Sequence, residues 1–411
     1  MNTVYNIGIF VYGFILQVAA LFHHKAMLWV TGRKNWQVKL RSLPAKSGKR
    51  VWFHCASLGE FEQARPLIEK IKTLHPETQT VLSFFSPSGY EVRKTYTQAD
   101  VVTYLPLDTR ANAQEFIALI KPDVVFFVKY DLWYNYLQTL HQQNIPVVLF
   151  SAVFRPNHVF FKWYGGMFRQ MLKWVTQIFV QNETSEQLLK QIEISSTVAS
   201  DTRFDRVLQV AENRKSFPLI EQFCNHQQVF IAGSTWSSDE ELLLEFLANS
   251  TFSNWKLIIA PHQLSAESIK ALKQRVAKNV VLFSELTESN AANNRVLLID
   301  NIGNLASLYA YAHVAYVGGG FEQSIHNVLE PAVYGIPVLF GKNFTKSEEA
   351  KKLLQLGGAK CVYQPKHFEP VVGSVLSDHS LQKQMGEICH SYVHQHTGGT
   401  DLIYQNVKQL L

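Results

Sequence analysis

From Arg50 onward, short unbroken apolar runs alternate with stretches whose apolar residues recur at helical spacing. Residues 51–55, 80–85, 124–128, 147–150 and 177–180 predict strands, with amphipathic helices such as 63–74 and 113–120 between them. Strands that are apolar along their whole length and separated by helices predict a parallel sheet covered on both faces. The pattern restarts at 229–232 and continues through 256–260, 280–283, 296–299, 314–317 and 337–340. Two doubly wound α/β domains are therefore expected, joined in the polar, weakly patterned stretch between about Asp205 and Gln228, and facing a cleft. Ligands of such domains bind at the carboxyl ends of the strands.

The segment before Arg50 follows a different pattern. Residues 4–22 are apolar apart from Asn6 and Gln17, about the length that crosses a hydrocarbon core. Lys25, Arg33, Lys34, Lys39, Arg41, Lys46, Lys49 and Arg50 follow, and no Asp or Glu occurs before Glu60. No Lys or Arg precedes the apolar run and no small-residue cleavage site follows it, which argues against a secretory signal. The positive-inside tendency places everything after the run in the cytoplasm. A buried core helix is the competing reading. Trp29 and Trp36, among basic residues, suit a headgroup interface. Residues 1–40 are thus read as a membrane anchor with a basic membrane-surface segment, 41–210 as the first Rossmann-like domain and 211–411 as the second, with C-terminal helices at 381–411.

Composition narrows the class. A chain of 411 residues exceeds what one hydrophobic core usually supports. With 47% apolar and 18% charged residues it is too apolar for disorder. Cys55, Cys224, Cys361 and Cys389 lie far apart, so neither a disulfide framework nor a zinc site is indicated. The net charge of +6 is modest over this length, and no nucleic-acid partner is expected.

Candidate chemistry gathers at predicted strand ends. His54-Cys55-Ala56-Ser57-Leu58-Gly59-Glu60 follows a strand and opens a helix; Ser57 and Gly59 let a substrate approach the backbone, and Glu60 faces it. A carboxylate that only caps the helix is the alternative. Lys129 and Asp131 follow the strand at 124–128, as a cation and carboxylate at the same sheet edge or as a surface ion pair. In the second half, Gly318-Gly319-Gly320 follows a strand, an arrangement that offers backbone N–H groups to a phosphate. Asn327 and Glu330 stand one turn apart, so both can face one ligand. Ser234-Thr235, Pro261-His262 and Gly303-Asn304-Leu305 put further small and polar groups at strand ends. Arg203, near the domain join, suits an anionic donor.

Taken together, Gly32-Arg33-Lys34, the Ser57-x-Gly59-Glu60 loop, Leu132-Trp133-x-Asn135, Thr202-Arg203-Phe204-Asp205, Ala232-Gly233-Ser234-Thr235 and the segment from Asn327 through Val328, Leu329 and Glu330 to Ala332 resemble the 3-deoxy-D-manno-octulosonic acid (Kdo) transferases, an inverting family of GT-B architecture. The resemblance implies transfer of Kdo from CMP-Kdo to a lipid A precursor (lipid IVA) in lipopolysaccharide biosynthesis, at the cytoplasmic face of a bacterial inner membrane. It makes the first domain the acceptor side and the second the CMP-sugar side. It makes Glu60 the general base, Arg203 a stabiliser of transition-state charge, and Pro261-His262, Gly303–Leu305 and Asn327–Glu330 the CMP contacts. Lys129 stands where the family usually has Glu, with Asp131 its potential replacement; His262 replaces Arg, Asn304 replaces Glu, and Arg203 replaces Lys.

No ligand cluster for a metal and no Asp-x-Asp in a nucleotide-loop context is found, so metal-independent transfer without a cofactor is expected, with the leaving group stabilised by a helix N-terminus and cationic side chains. A nucleotide-sugar epimerase of the same architecture, and a membrane-tethered nucleotide- or lipid-binding protein without turnover, are the rival readings.

Overall fold

The computed structural model describes residues 2–249, 254–276 and 279–411. It divides into two compact units: Met1–Arg206 together with Thr397–Leu411, and Val207–His396.

The first unit is built on seven parallel strands, β1 (Arg50–Cys55), β2 (Gln79–Phe84), β3 (Val101–Tyr104), β4 (Val124–Val128), β5 (Val147–Ala152), β6 (Gln177–Val180) and β7 (Thr197–Val198), in the order β3-β2-β1-β4-β5-β6-β7. Residues of alternating parity supply the two faces. Trp52, Val125 and Phe127 enter one buried cluster, while Val51, Phe53, Cys55 and Phe126 enter the other. Both faces are therefore apolar, which is why these strands read as unbroken apolar runs.

The final helix, Gly399–Val407, lies in this unit and not in the second, correcting the assignment of 211–411 as one domain. Ile403, Tyr404 and Val407 are buried in the cluster that contains Leu67, Ile68 and Ile71. Asp205 holds the turn before it, accepting N–H bonds from Gly398 and Thr400, each at 2.6 Å.

The N-terminal segment also departs from expectation. It forms α1 (Asn2–Ala19), α2 (His24–Thr31) and α3 (Trp36–Arg41). Among the described residues no helix is long and apolar enough to cross a membrane. At 1.5 Å per residue, the 18 residues of α1 reach only about 27 Å. Nor is the segment separate from the domain core: Trp36 and Leu40 are buried in it, and Tyr5 packs against it. Polar contacts fix α1 as well. Tyr5 Oη donates to Asp108 Oδ2 (2.6 Å), and Asn135 Nδ2 donates to Asn6 Oδ1 (2.9 Å). The opposite face of α1, including Ile7, Phe10, Phe14 and Ile15, is exposed. Arg33 is half-buried against Trp29, with its guanidinium 3.7 Å from the ring, and donates to the carbonyls of Leu105, Trp29 and Phe85.

The second unit repeats the plan with β8 (Gln228–Thr235), β9 (Trp255–Pro261), β10 (Val280–Leu282), β11 (Val296–Leu298), β12 (Val314–Val317), β13 (Val338–Gly341) and β14 (Ala359–Val362), all parallel, in the order β10-β11-β9-β8-β12-β13-β14.

Asp108 is almost fully buried, accepts from Tyr5 Oη and from the backbone N–H of Asn135 and Tyr136, and is held above the usual carboxylate range, at about 6, chiefly by desolvation. Replacing Tyr5 by Phe removes one of its donors in a buried site, so the first unit should lose about 1–3 kcal/mol. Calorimetric unfolding of the variant beside the parent protein measures this; an unchanged first transition would show that α1 adds nothing to the unit.

Candidate active site

Strand order reverses in the first unit between β1 and β4, and connections there leave to opposite sides of the sheet, opening a crevice at the strand ends. The loop after β1 ends in α4 (Leu58–Leu74), with Ser57 at its N-cap and Gly59 exposed. The loop after β4 begins with Lys129, which holds φ +60, a left-handed conformation that is costly for a residue with a Cβ. Sequence spacing expected Glu60, Lys129 and Asp131 at one sheet edge, and the structure brings them together there.

Glu60 sits in the first turn of α4 and its carboxylate turns back to accept the N–H of Ala56 at 2.5 Å. It therefore does cap the helix. Capping does not account for its electrostatics. Burial, and then the neighbouring Asp131 charge, raise its pKa to about 7, against the opposing pull of Lys129 and the Ala56 and Ser57 amides. A carboxylate poised near neutrality is suited to taking up and giving back a proton. Asp131 is itself fixed from two sides: Trp133 Nε1–H donates to Oδ2 at 3.2 Å, and His54 Nε2 lies 3.1 Å from the same atom. Behind it, His54 Nδ1 is 2.9 Å from Ser83 Oγ, which also accepts from Trp52 Nε1 at 2.7 Å. Asp131 thus rests on a chain of buried polar groups, not on Lys129 alone.

Arg203 is held by an acidic neighbour. Asp201 is buried and accepts from Arg203 N, Nε and a terminal nitrogen, at 2.9, 3.0 and 2.8 Å. Gln63 and Gln181 donate to the same carboxylate. The Arg203 charge holds the Asp201 pKa below the ordinary range in spite of burial. Arg203 therefore presents an oriented ion pair instead of an isolated cation.

In the second unit the order reverses between β8 and β12, and the expected residues converge on those strand ends. Ser234 takes φ +54 at the end of β8, and Thr235 Oγ1 donates to Glu240 at 3.3 Å. The glycine run is closely packed, and two of its three N–H groups are taken up inside the unit. Gly318 N–H donates to Gly233 O and Gly319 N–H to Asp239 Oδ2. A Cβ on Gly318 would lie 2.5 Å from Ser234 O, and one on Gly320 2.5 Å from Gly341. Asn327 Nδ2 donates to Glu330 Oε1 at 3.3 Å, and Asn327 Oδ1 accepts from Leu329 N, so this pair shares one side of the loop as its spacing predicted. Pro261, Val328 and Leu329 are buried and Leu305 packs on the core. Gly303, with φ +92, is exposed, and Asn304 accepts from Lys215 Nζ at 3.3 Å.

Three groups escaped the sequence reading. Trp236 stacks on His262 with centroids 4.5 Å apart and donates through Nε1 to His326 Nε2 at 3.1 Å. Asp239 ties Trp236 N, Gly319 N and Tyr316 Oη together. Ser83, a hydroxyl within the apolar run of β2, anchors His54. Only Ser83 left a signal, a polar break in an apolar run; Asp239 reads as an ordinary helix-start acid. Among the described residues no group of three or more His, Cys, Asp or Glu side chains is placed to hold a metal ion.

A family pattern described as 3-deoxy-D-manno-octulosonic-acid transferase (kdotransferase) matches residues 34–206. The 3-deoxy-D-manno-octulosonic acid transferase of Haemophilus influenzae is 24% identical over 90% of this chain and 88% of its own length; that of Aquifex aeolicus is 26% identical over 79% and 86%. A bifunctional glycosyltransferase/methyltransferase of Fusobacterium nucleatum is 26% identical over 80% of this chain, which spans about half (52%) of that protein. Among solved structures, the UDP-GlcNAc 2-epimerase of Neisseria meningitidis superposes with a TM-score of 0.61 at 14% identity, covering 88% of this chain and all of that one. That likeness establishes the fold.

If the glycine run packs strands and not phosphate, Gly318→Ala should destabilise the second unit by about 1–3 kcal/mol, because backbone atoms that cannot retreat stand in the way. Thermal unfolding without nucleotide measures it; a loss seen only as weaker nucleotide binding would restore the cradle.

Proposed function

We propose that this chain, a member of the 3-deoxy-D-manno-octulosonic acid transferase family, moves Kdo from CMP-Kdo to a lipid A precursor, lipid IVA, and releases CMP. The observation that carries the reading is Glu60: a partly buried carboxylate of pKa about 7 at the strand-order reversal, fixed by the Ala56 amide and flanked by Lys129 and Asp131. The acceptor hydroxyl loses its proton to Glu60 as its oxygen attacks the anomeric carbon of Kdo, while the bond from that carbon to the phosphate oxygen breaks and the electron pair leaves with CMP. Attack opposite the leaving group inverts the anomeric centre. The second unit takes the nucleotide through the Ser234–Thr235 strand end, His262, Gly303–Asn304 and the Asn327/Glu330 pair. Arg203, oriented by Asp201, and Lys129 offset the negative charge of phosphate and Kdo carboxylate. No metal takes part. The chain works at the cytoplasmic face of the bacterial inner membrane, with the exposed apolar face of α1 lying in the lipid interface instead of spanning the bilayer.

Glu60→Gln keeps the shape and the capping acceptor but removes the base. Turnover should fall by ~10²–10⁴-fold with CMP binding intact, in an assay where EDTA leaves the parent rate unchanged. Near-normal turnover would end the assignment.

Since Glu60 acts only when deprotonated, the parent kcat/KM should drop tenfold per unit below pH of about 7 and level off above it. Stability runs the other way. A pKa raised in the fold contributes stability below the unfolded value, ~4.3, that is lost as pH climbs to about 7. Glu60→Gln should thus gain on the parent in melting temperature across that window; parallel melting curves would contradict the burial of this charge.

Glu330→Ala should weaken CMP binding, measured by calorimetry, without altering the first unit. An unchanged affinity would remove Glu330 from the nucleotide site.

A further inference from the structure

Between Asp131 and Glu183 the chain carries no Asp or Glu, but it does carry Arg155, Lys162, Arg169 and Lys173. In the middle of this stretch, residues 159–165 form a projection that begins with the short 3-10 turn Val159–Phe161 and ends at the helix Gly166–Lys173. Its tip exposes Trp163 at 91% and Tyr164 at 57%, with the two rings at right angles and centroids 5.5 Å apart.

The projection is built, not slack. Phe160 is buried against Phe154 and Phe168. Arg169 donates to the carbonyls of Phe160 and Lys162, at 3.0 and 2.8 Å, and the Gly165 N–H closes on Lys162 O at 2.9 Å. A Cβ at Gly165 would lie 2.0 Å from Val159 O, so only glycine allows the closure. The fold thus spends a buried aromatic, an arginine and an obligatory glycine on holding two large aromatic rings in water. Nothing inside the unit covers them.

We propose that this projection, with Trp163 and Tyr164 at its tip and Lys162 and Lys173 beside it, is a second contact of the first unit with an anionic lipid surface, distinct from α1. Trp and Tyr favour the headgroup region, where an apolar ring and a polar edge are both satisfied, and cations beside them attract anionic headgroups. A segment with four cations and no acid of its own is the charge complement of such a surface. The helix that follows the projection is tied to α1 at its far end: Tyr134 packs against Tyr5 of α1 (5.4 Å) and against Trp174, just after the helix Gly166–Lys173 (5.2 Å). Glu193, which lines a hollow with Arg169 and Lys173, is the one acid at this edge that the hollow includes. The inference rests on the membrane-surface reading above, and it adds a site that the apolar N-terminal run does not contain.

The test uses the full chain with vesicles of phosphatidylcholine alone or with phosphatidylglycerol. Trp163→Ala/Tyr164→Ala should lower partitioning into the anionic vesicles roughly tenfold, because two rings no longer leave water. Lys162→Gln/Lys173→Gln should lower it roughly tenfold or more in anionic vesicles only. Brominated lipid should quench parent fluorescence more than that of Trp163→Phe, a direct sign that this ring enters the interface. Phe10→Ser/Phe14→Ser tests α1 separately. Loss of partitioning in the α1 variant with none in the projection variant would overturn the proposal and leave the membrane reading standing. A parent protein that ignores both vesicles would overturn both. A change of oligomeric state in the projection variant without lipid would overturn it in favour of a protein contact.

Discussion

Everything functional in each unit depends on one constraint of parallel sheets. A strand parallel to its neighbour must be reached by a crossover, and crossovers of one hand place successive helices on opposite faces once strand order reverses. Around β1, whose neighbours are β2 and β4, the chain leaves the sheet in two directions, and the polar ends of both strands stay uncovered. The same holds around β8, between β9 and β12. Residues with no proximity in sequence, Glu60 and Asp131 in one unit and Ser234 and Asn327 in the other, are carried to these reversals by backbone pairing alone. Non-glycine residues in left-handed conformations occur at these ends too, at Lys129 and Ser234. Such strain persists only where a sheet over-determines the backbone.

The first unit stabilises a costly carboxylate by surrounding it with fixed dipoles. Desolvation alone would neutralise Glu60, while the Ala56 and Ser57 amides and Lys129 oppose this, so the group rests near the pH at which it must work. Asp131 contributes in the raising direction and needs its own support, which comes from Trp133, His54 and, behind His54, Ser83 and Trp52. The carboxylate that acts on Glu60 is Asp131, two residues beyond the cation Lys129, and the polar chain behind His54 fixes its position.

Central strands were legible because both faces are buried and the run of apolar residues is unbroken. The strands that pattern reading passed over, β3, β7 and β14, all lie at sheet edges, where one side needs no neighbour and residues such as Thr103 and Lys360 interrupt the run. The Glu60 loop and the Asn327/Glu330 spacing were legible as motifs. The roles of other motif residues were not, since they depend on contacts far away in sequence: Asn135 ties Asn6 to the Asp108 carbonyl, Asp205 caps a helix almost two hundred residues later, and the glycine run makes room for backbone. The N-terminal run misled for a related reason. Its outward face has the composition of a membrane segment, and only the contacts of Tyr5 and Asn6 reveal that its inward face belongs to the domain.

In the second unit the β9 strand end carries an imidazole, His262, which differs in kind from a guanidinium. A guanidinium keeps its charge at any working pH. Burial lowers the His262 pKa, and burial with the His262 charge lowers that of His326 to about 4, so His326 is neutral at neutral pH and charging His262 is disfavoured. What this strand end offers is a stack of flat rings, Trp236 on His262 and His262 within 4.7 Å of His326, with the indole N–H spent on His326. Rings present faces and edges, which suit a planar base better than a phosphate. Arg203 is oriented by Asp201, whose carboxylate cancels much of its field at a distance and leaves its donors aimed at short range. An arginine restrained in this way is well suited to a charge that develops at one place and poorly suited to drawing anions in from solution. Positioning at the moment of reaction, more than attraction before it, is what this arrangement supplies.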